Sequence, residues 1–149
     1  MDKSLRDLLF GMPWTFPVFF VCLWCGISYL IAWMSGWQEL ARRFASESEP
    51  YGDTLSAGPW FIVVYLRYWT KYGGVVRMRA AAGGLYLSAI FLFRLGHPPL
   101  RIPWNEIRVG RTRYCMQNYV ELTLGSEERI PLRIREGTAR MLGLLERMK

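Results

Sequence analysis

Hydrophobic positions divide the chain into one long apolar run near its start and a series of short alternating segments after it. Residues 14–34 carry no charged side chain, and about 20 such residues in a helix cross a hydrocarbon core of about 30 Å. We therefore predict one transmembrane helix at 14–34, after an N-terminal tail at 1–13. Trp14, Trp33 and Trp37 lie near the ends of the run, as aromatic residues do at membrane interfaces. A cleaved signal peptide is the alternative, although its apolar region is usually shorter.

The residues after the apolar run predict a short amphipathic helix and then a linker. The sequence Ser-Gly-Trp-Gln at 35–38 matches a capping box, and apolar residues recur at helical spacing over 35–44. We expect this juxtamembrane helix to lie on the membrane surface, and a continuation of the membrane helix is the alternative. Residues 45–59 are rich in Ser, Gly and Pro and contain no Lys or Arg. They predict a linker that lets the following domain pivot.

The remaining residues, 60–149, predict one mostly β domain. The predicted strands lie at 60–66, 75–81, 85–93, 101–104, 107–116, 120–124 and 130–134. In the second of these, Arg77 and Arg79 form one polar face. In 107–116 the alternation changes parity at Gly110, which indicates a β-bulge and would place three arginines of this strand on one face. The last two strands form the clearest hairpin, and Pro131 predicts that its second strand is an edge strand.

The chain should end in an amphipathic helix. Met141, Leu144, Leu145 and Met148 lie on one stripe of that helix, and charged residues occupy its other faces. A strongly bent antiparallel sheet whose open end this helix covers accounts for the order of the elements. The fold class that we expect is a single N-terminal transmembrane helix followed by an α+β domain.

Two short motifs add a family resemblance. GLYLS at 84–88 followed by IPWNEI at 102–107 resembles the short bacterial pleckstrin-homology-like (PH-like) domains, in which a Gly-Leu-Tyr-Leu strand precedes an Ile-Pro-Trp strand. The resemblance covers residues 60–149. It implies an antiparallel sheet or barrel capped by a C-terminal helix, in a protein held at the bacterial membrane. It implies little about activity, and no binding residue of the family can be carried over to this chain.

The charge balance is basic, with 19 Lys and Arg against 12 Asp and Glu and a net charge of +7. Arginine supplies all the cations except Lys3, Lys71 and Lys149, and its planar fork suits phosphate and carboxylate groups. The basic residues flanking the apolar run balance, so they do not set its orientation. The basic surplus and Cys115, for which the domain offers no second cysteine, lead us to expect a single-pass protein of the inner (cytoplasmic) membrane, with the C-terminal domain in the cytoplasm.

Residues that could perform chemistry are few. His97 is the only histidine, so catalytic triads and histidine metal sites lack support, and we interpret it as part of a turn. Cys22 and Cys25 form C-x-x-C within the apolar run, where hydrocarbon disfavours a thiolate, so we interpret them as packing residues. Glycine-rich phosphate-binding motifs are absent from the sequence. We therefore predict no catalytic residue, no metal site and no cofactor, and a protein that is not an enzyme.

The arginines of the β domain are the main candidate site. The predicted docking set for an anion or a partner is Arg77, Arg79, Arg101, Arg108, Arg111 and Arg113. An ordinary solvated surface is the alternative interpretation. We expect a non-enzymatic scaffold, an accessory subunit that docks on a membrane-protein partner and stabilises a larger complex. The second possibility is a sensor of anionic lipid in the bilayer. Nucleic acid is not an expected partner, because no motif of stacking aromatic residues accompanies the arginines.

Overall fold

The computed structural model describes residues 3–11, 13–48, 54–57 and 62–148. These residues form an N-terminal apolar helix and an α+β domain with two antiparallel sheets and a C-terminal helix. The helices are α1 (Lys3–Phe10), α2 (Thr15–Met34), α3 (Trp37–Phe44) and α4 (Glu136–Met141). The strands are β1 (Leu55–Ala57), β2 (Val63–Leu66), β3 (Thr70–Gly73), β4 (Val76–Ala81), β5 (Gly84–Ala89), β6 (Leu100–Ile102), β7 (Ile107–Tyr114), β8 (Gln117–Leu124) and β9 (Ile130–Arg135).

Helix α2 coincides with the predicted membrane helix. Its 20 residues are uncharged, and a helix of that length and composition is a candidate membrane span. Most of its large side chains are exposed, whereas Ser28 and Ala32 are buried against the domain. The helix is therefore not the core helix of the domain, and within the described residues its buried side chains form one narrow stripe. Helix α1 lies within the segment predicted as a tail.

Helix α3 is a core element, so our expectation that it lies on the membrane surface is wrong. Gly36 adopts a left-handed conformation, with φ of +83°, which separates α3 from α2. The apolar stripe of α3 is then covered by the sheets, since Trp37 and Leu40 are fully buried and Phe44 is 8 % exposed. The sequence correctly predicts an amphipathic helix, but the apolar face of that helix packs in the protein core.

The two sheets enclose one hydrophobic core together with α3. The strand order is β1-β4-β5-β6 in the first sheet and β3-β2-β9-β8-β7 in the second. Met78 and Leu85 from the first sheet and Leu122 and Leu132 from the second belong to the same buried cluster as Leu40. In the described part of the chain the two sheets do not close into a barrel.

The predicted hairpin of the last two strands is confirmed, but its second strand is not an edge strand. β9 pairs with β8 on one side and with β2 on the other. Pro131 is tolerated there because pairing with β2 ends at Leu132 and Leu66, and the Pro131 carbonyl accepts the N–H of Arg67 at 3.0 Å. Proline has no N–H to donate. At residue 131 that absence lies beside the turn that follows β2, where no carbonyl of a paired strand requires a donor.

The segment predicted as a linker is attached to the domain at both described ends. Ala45 forms a β-bridge with Leu100, and β1 pairs with β4. Residues 49–53 and 58–59 of the predicted linker, and 60–61 of the first predicted strand, lie outside the described residues. The described attachments do not provide the free pivot that we expected at 45–59.

Two predicted elements end earlier than their apolar pattern indicated. The strand predicted at 85–93 stops at Ala89, and Phe91–Phe93 forms a 3₁₀ turn. At the C-terminus α4 ends at Met141, because Gly143 is left-handed and a separate 3₁₀ turn follows. Leu142 and Leu144 are buried whereas Met141 is 62 % exposed, so the single apolar stripe predicted for this helix is wrong.

Candidate anion-binding site

The predicted arginine set is divided between the two sheets. In the first sheet Arg77 pairs with Ser88, Arg79 pairs with Tyr86, and Tyr86 pairs with Arg101 on the next strand. Residues directly opposite in neighbouring strands project from the same face. Arg77, Arg79 and Arg101 therefore share the outer face of this sheet, and the Arg101 guanidinium lies 5.8 Å from the centre of the Tyr86 ring.

The arginines of β7 do not share one face, because the predicted bulge at Gly110 is absent. β7 and β8 pair without interruption from Ile107 opposite Leu124 to Tyr114 opposite Gln117. Side chains alternate along an unbroken strand, so Arg108 projects from the face opposite to that of Arg111 and Arg113. Arg111 and Arg113 lie at the end of β7 that is nearest the β7–β8 turn. They project from the face of the hairpin that carries core residues at its opposite end.

A cleft on the first sheet gathers one further arginine that the sequence analysis missed. Its volume is about 220 Å³, and basic and hydroxyl side chains line it together with the aromatic rings of Tyr86 and Phe91. These lining residues include Ser46, Arg77, Arg79, Ser88, Phe91 and Arg94. Glu47 also lines the cleft and is the one acidic side chain among the lining residues. Arg94 directly follows the apolar 3₁₀ turn. It is the cation at the end of an apolar run, and that position is the signal in the sequence by which it could have been found.

Two cations of this cleft, Arg77 and Arg94, differ from the arginines that carboxylates of the chain hold. Within the described residues, neither Arg77 nor Arg94 forms an ion pair, whereas Arg133 is held by Glu121 at 2.8 Å and Arg67 by Glu39. An arginine without a carboxylate partner retains its full donor set for an external anion. The cleft can therefore bind phosphate or carboxylate groups through guanidinium and hydroxyl donors.

Three acidic residues, Glu106, Glu127 and Glu128, lie close to Arg43. The Arg43 guanidinium lies 3.3 Å from Glu106 and 3.0 Å from Glu128. Hydrogen bonds from Ser126 lower the pKa of Glu106, and the charge of Arg43 lowers it further. The Glu106 carboxylate consequently remains ionised at pH 7, and Glu106 and Glu128 both pair with Arg43.

The segment next to the cleft also contacts α2. We call residues 91–95 the apolar loop, because Phe91, Leu92 and Leu95 are 86 %, 64 % and 58 % exposed. The indole Nε1 of Trp24 in α2 donates a 3.0 Å hydrogen bond to the Leu92 carbonyl oxygen. The Trp24 ring also lies 5.0 Å from the ring of Phe93. The apolar loop therefore runs beside the helix that is the candidate membrane span.

Small residues of α2 allow this close approach. A Cβ atom at Gly96 would lie 3.1 Å from the Tyr29 Cα and 3.4 Å from the Ala32 Cβ. Gly96 also has φ of +83°, which favours glycine. Small residues on both sides permit close backbone packing, as they do between membrane helices.

The three tryptophans predicted at the membrane interfaces have different environments. Trp14 and Trp33, at the two ends of α2, are 77 % and 65 % exposed. Trp37 is buried, and its indole Nε1 donates to the Pro98 carbonyl at 3.0 Å, so its assignment to an interface is wrong. Trp69 was not among the predicted interface residues. It is 62 % exposed, and it lines a cleft together with Trp33.

A buried polar cluster joins α2 to the domain. The Tyr72 hydroxyl donates to the Ser35 Oγ at 2.8 Å and lies 3.0 Å from the His97 Nε2. Burial raises the pKa of Tyr72 to about 12 and lowers the pKa of His97, an effect that the nearby backbone of Leu95 and Phe93 partly offsets. His97 is therefore neutral at pH 7, and the cluster fixes the junction rather than presenting a reactive group to solvent.

Metal-binding chemistry has no support among the described residues. No group of three His, Cys, Asp or Glu side chains lies close enough together there to hold a metal ion. Cys22, Cys25 and Cys115 are free thiols. Comparison of the chain with family models, curated proteins and solved structures gives no match.

Proposed function

We propose that this protein is a non-enzymatic binding module with a PH-like domain, anchored by α2 in the cytoplasmic membrane with the domain on the cytoplasmic side. Its cleft at Arg77, Arg79 and Arg94 binds the phosphate headgroups of anionic lipids in the adjacent leaflet. The observation that carries the proposal is the position of this cleft, which adjoins the apolar loop that is bonded to α2.

Three features support this choice of ligand. The cleft offers guanidinium and hydroxyl donors, which suit a phosphodiester. Its lining is more polar than apolar, which fits a headgroup whose acyl chains remain in the bilayer. The anchor keeps lipid permanently within reach, so a modest affinity per site is sufficient, with each basic residue near an anionic surface contributing about 1 kcal/mol.

Native mass spectrometry of the full-length protein in detergent, with phosphatidylglycerol or phosphatidylcholine added, tests the proposal. We expect the wild type to retain phosphatidylglycerol preferentially, and the Arg77→Ala/Arg94→Ala variant to lose about tenfold or more of that affinity. The matched control, Arg108→Ala/Arg113→Ala, removes the same charge from β7 and should leave the affinity unchanged. Equal losses in both variants would show general attraction by the net charge and would overturn the assignment to the cleft.

An accessory-subunit role is the second candidate, and the tip of the β7–β8 hairpin favours it. Tyr114 is 49 % exposed and Met116 is 98 % exposed. Exposed aromatic and Met side chains are typical of protein contacts. Arg111 and Arg113 lie next to this tip, at the end of β8 that is remote from the α2 junction. Purification in mild detergent should then yield a stoichiometric partner that Met116→Asp releases, whereas lipid binding alone would yield the isolated chain.

A further inference from the structure

The apolar loop exposes its large side chains although it belongs to a folded, charged domain. Phe91, Leu92 and Leu95 are all more than half exposed, and they are consecutive or nearly consecutive in the chain. A contiguous exposed apolar surface of this kind marks a site of contact with a partner or a membrane. The position of the loop along α2 decides between these two.

The contacts with α2 set the depth of the loop. Trp24, which binds the Leu92 carbonyl, precedes the last residue of α2, Met34, by about 15 Å along the helix axis at 1.5 Å per residue. A bilayer has a hydrocarbon core of about 30 Å, so about 15 Å corresponds to one leaflet. If α2 spans the bilayer, Leu92 lies at the depth of the acyl chains and not at the level of the headgroups.

Part of the loop backbone has the internal partners that hydrocarbon requires. Polar backbone groups at membrane depth need internal partners, because no water is present to bind them. The N–H of Phe93 donates to the Ile90 carbonyl at 2.9 Å, and the N–H of Arg94 donates to the Phe91 carbonyl at 3.2 Å. The Leu92 carbonyl accepts the indole N–H of Trp24. The 3₁₀ turn and the tryptophan thus satisfy polar groups at the exposed tip.

We propose that the apolar loop inserts into the hydrocarbon of the adjacent leaflet, where Phe91, Leu92 and Leu95 contact lipid acyl chains. This inference rests on the proposed anchoring by α2. Arg94 lines the cleft together with Arg77, so its long side chain can carry its charge back to the headgroups while its backbone stays deeper. With the loop inserted, the protein contacts the membrane at two points, α2 and the loop. The arginine cleft then lies at the level of the lipid phosphates.

Depth measurement by electron paramagnetic resonance on the full-length protein in lipid nanodiscs tests the insertion. Single nitroxide labels are attached at Leu92→Cys, or at Phe20→Cys in α2, in a Cys22→Ala/Cys25→Ala/Cys115→Ser background. Native Cys115, which is exposed at the β7–β8 tip, serves as the aqueous control when it is retained. All three positions are exposed, so labelling does not disturb the core.

Collision with oxygen, which partitions into hydrocarbon, is compared with collision with a water-soluble nickel chelate. We expect the ratio of oxygen to nickel accessibility at Leu92 to resemble that at Phe20 and to exceed that at Cys115 several-fold. A lipid-exposed label at Phe20 with an aqueous label at Leu92 would overturn the insertion and leave the anchor intact. Aqueous labels at both positions would overturn the anchor itself, and protection of Leu92 from both reagents would show that a protein partner covers the loop.

Discussion

The indole N–H of Trp24 and the carbonyl oxygen of Leu92 form a 3.0 Å hydrogen bond across 68 residues of sequence. This bond joins the middle of the apolar helix to the tip of a loop in the β domain. It therefore relates the orientation of the domain to the axis of α2, and a domain that simply hung from a flexible linker would not make it. Additional bonds to the same stretch come from α3, through Gln38 to the Gly96 carbonyl and Trp37 to the Pro98 carbonyl.

Replacing Trp24 by Phe should loosen the apolar loop without removing its aromatic neighbour. Trp24→Phe keeps a ring beside Phe93 but leaves the Leu92 carbonyl without its donor, a loss of about 1 kcal/mol. Hydrogen exchange measured by mass spectrometry in nanodiscs should show about fivefold faster exchange in residues 91–95. Trp33→Phe is the control, because the Trp33 ring is exposed and bonds no other described residue. Equal exchange rates in the two variants would contradict a structural role for the bond.

Truncation of Trp37 should destabilise the domain far more than truncation of Trp69. Trp37 is fully buried against Tyr72 and His97, and loss of a large aromatic side chain from a core costs about 3–5 kcal/mol. Trp69 is 62 % exposed, so Trp69→Ala should change the stability by less than about 0.5 kcal/mol. Urea unfolding in detergent, followed by far-ultraviolet circular dichroism, makes the comparison. If Trp37→Ala yields no folded protein, Trp37→Phe should still show a measurable loss, and similar midpoints for both positions would place Trp37 outside the core.

Alanine should have opposite effects at Gly36 and Gly137. A Cβ at Gly36 would lie 2.7 Å from the buried Ile130 Cδ1, and the φ of +83° is itself unfavourable for alanine by about 1–2 kcal/mol. Gly137 lies in α4 with open space around its Cα, so Gly137→Ala should stabilise by about 0.4–1 kcal/mol. Thermal unfolding in the same detergent should lower the midpoint for the first variant and raise it for the second. A neutral Gly36→Ala would mean that α2 and α3 can join without the left-handed residue.

The stability of the domain should fall below pH 6.5 because of His97. Burial lowers the pKa of His97 from its ordinary value of 6.5, so the unfolded chain binds a proton first as the pH falls. Above pH 6.5 both states are largely neutral at this position, and below it the unfolded state is favoured progressively down to the folded-state pKa. The unfolding free energy, measured from pH 8 to 5.5, should therefore decrease in the wild type.

The His97→Gln variant provides the control for this pH dependence. His97 is the only histidine of the chain, so no other imidazole titrates in that range. We expect a lower unfolding free energy for the variant at pH 7.5, because its side chain replaces a buried ring that contacts Trp37 and Tyr72, and a flatter profile from pH 7 to 5.5. If the unfolding free energies of the two proteins decrease in parallel with pH, other titrating groups cause the decrease.

The sequence by itself determined the elements whose signal is local. The absence of charge over residues 14–34 identified α2, and period-two alternation identified β4 and the hairpin of β8 and β9. These signals are reliable because a helix or strand displays its apolar face in its own residue spacing. The same spacing also predicted α3 correctly as an amphipathic helix.

Only the tertiary structure decided which surface covers each apolar face and which distant residues meet. Residue spacing cannot distinguish lipid from core, so α3 was assigned to the membrane although the sheets bury Trp37. It also could not place β9 in the middle of its sheet, since that position depends on pairing with β2. Nor could it show that Arg94 and Arg77 line one cleft, or that Trp24 bonds the Leu92 carbonyl across 68 residues of sequence. Such contacts arise from the packing of the whole chain, and no local pattern encodes them.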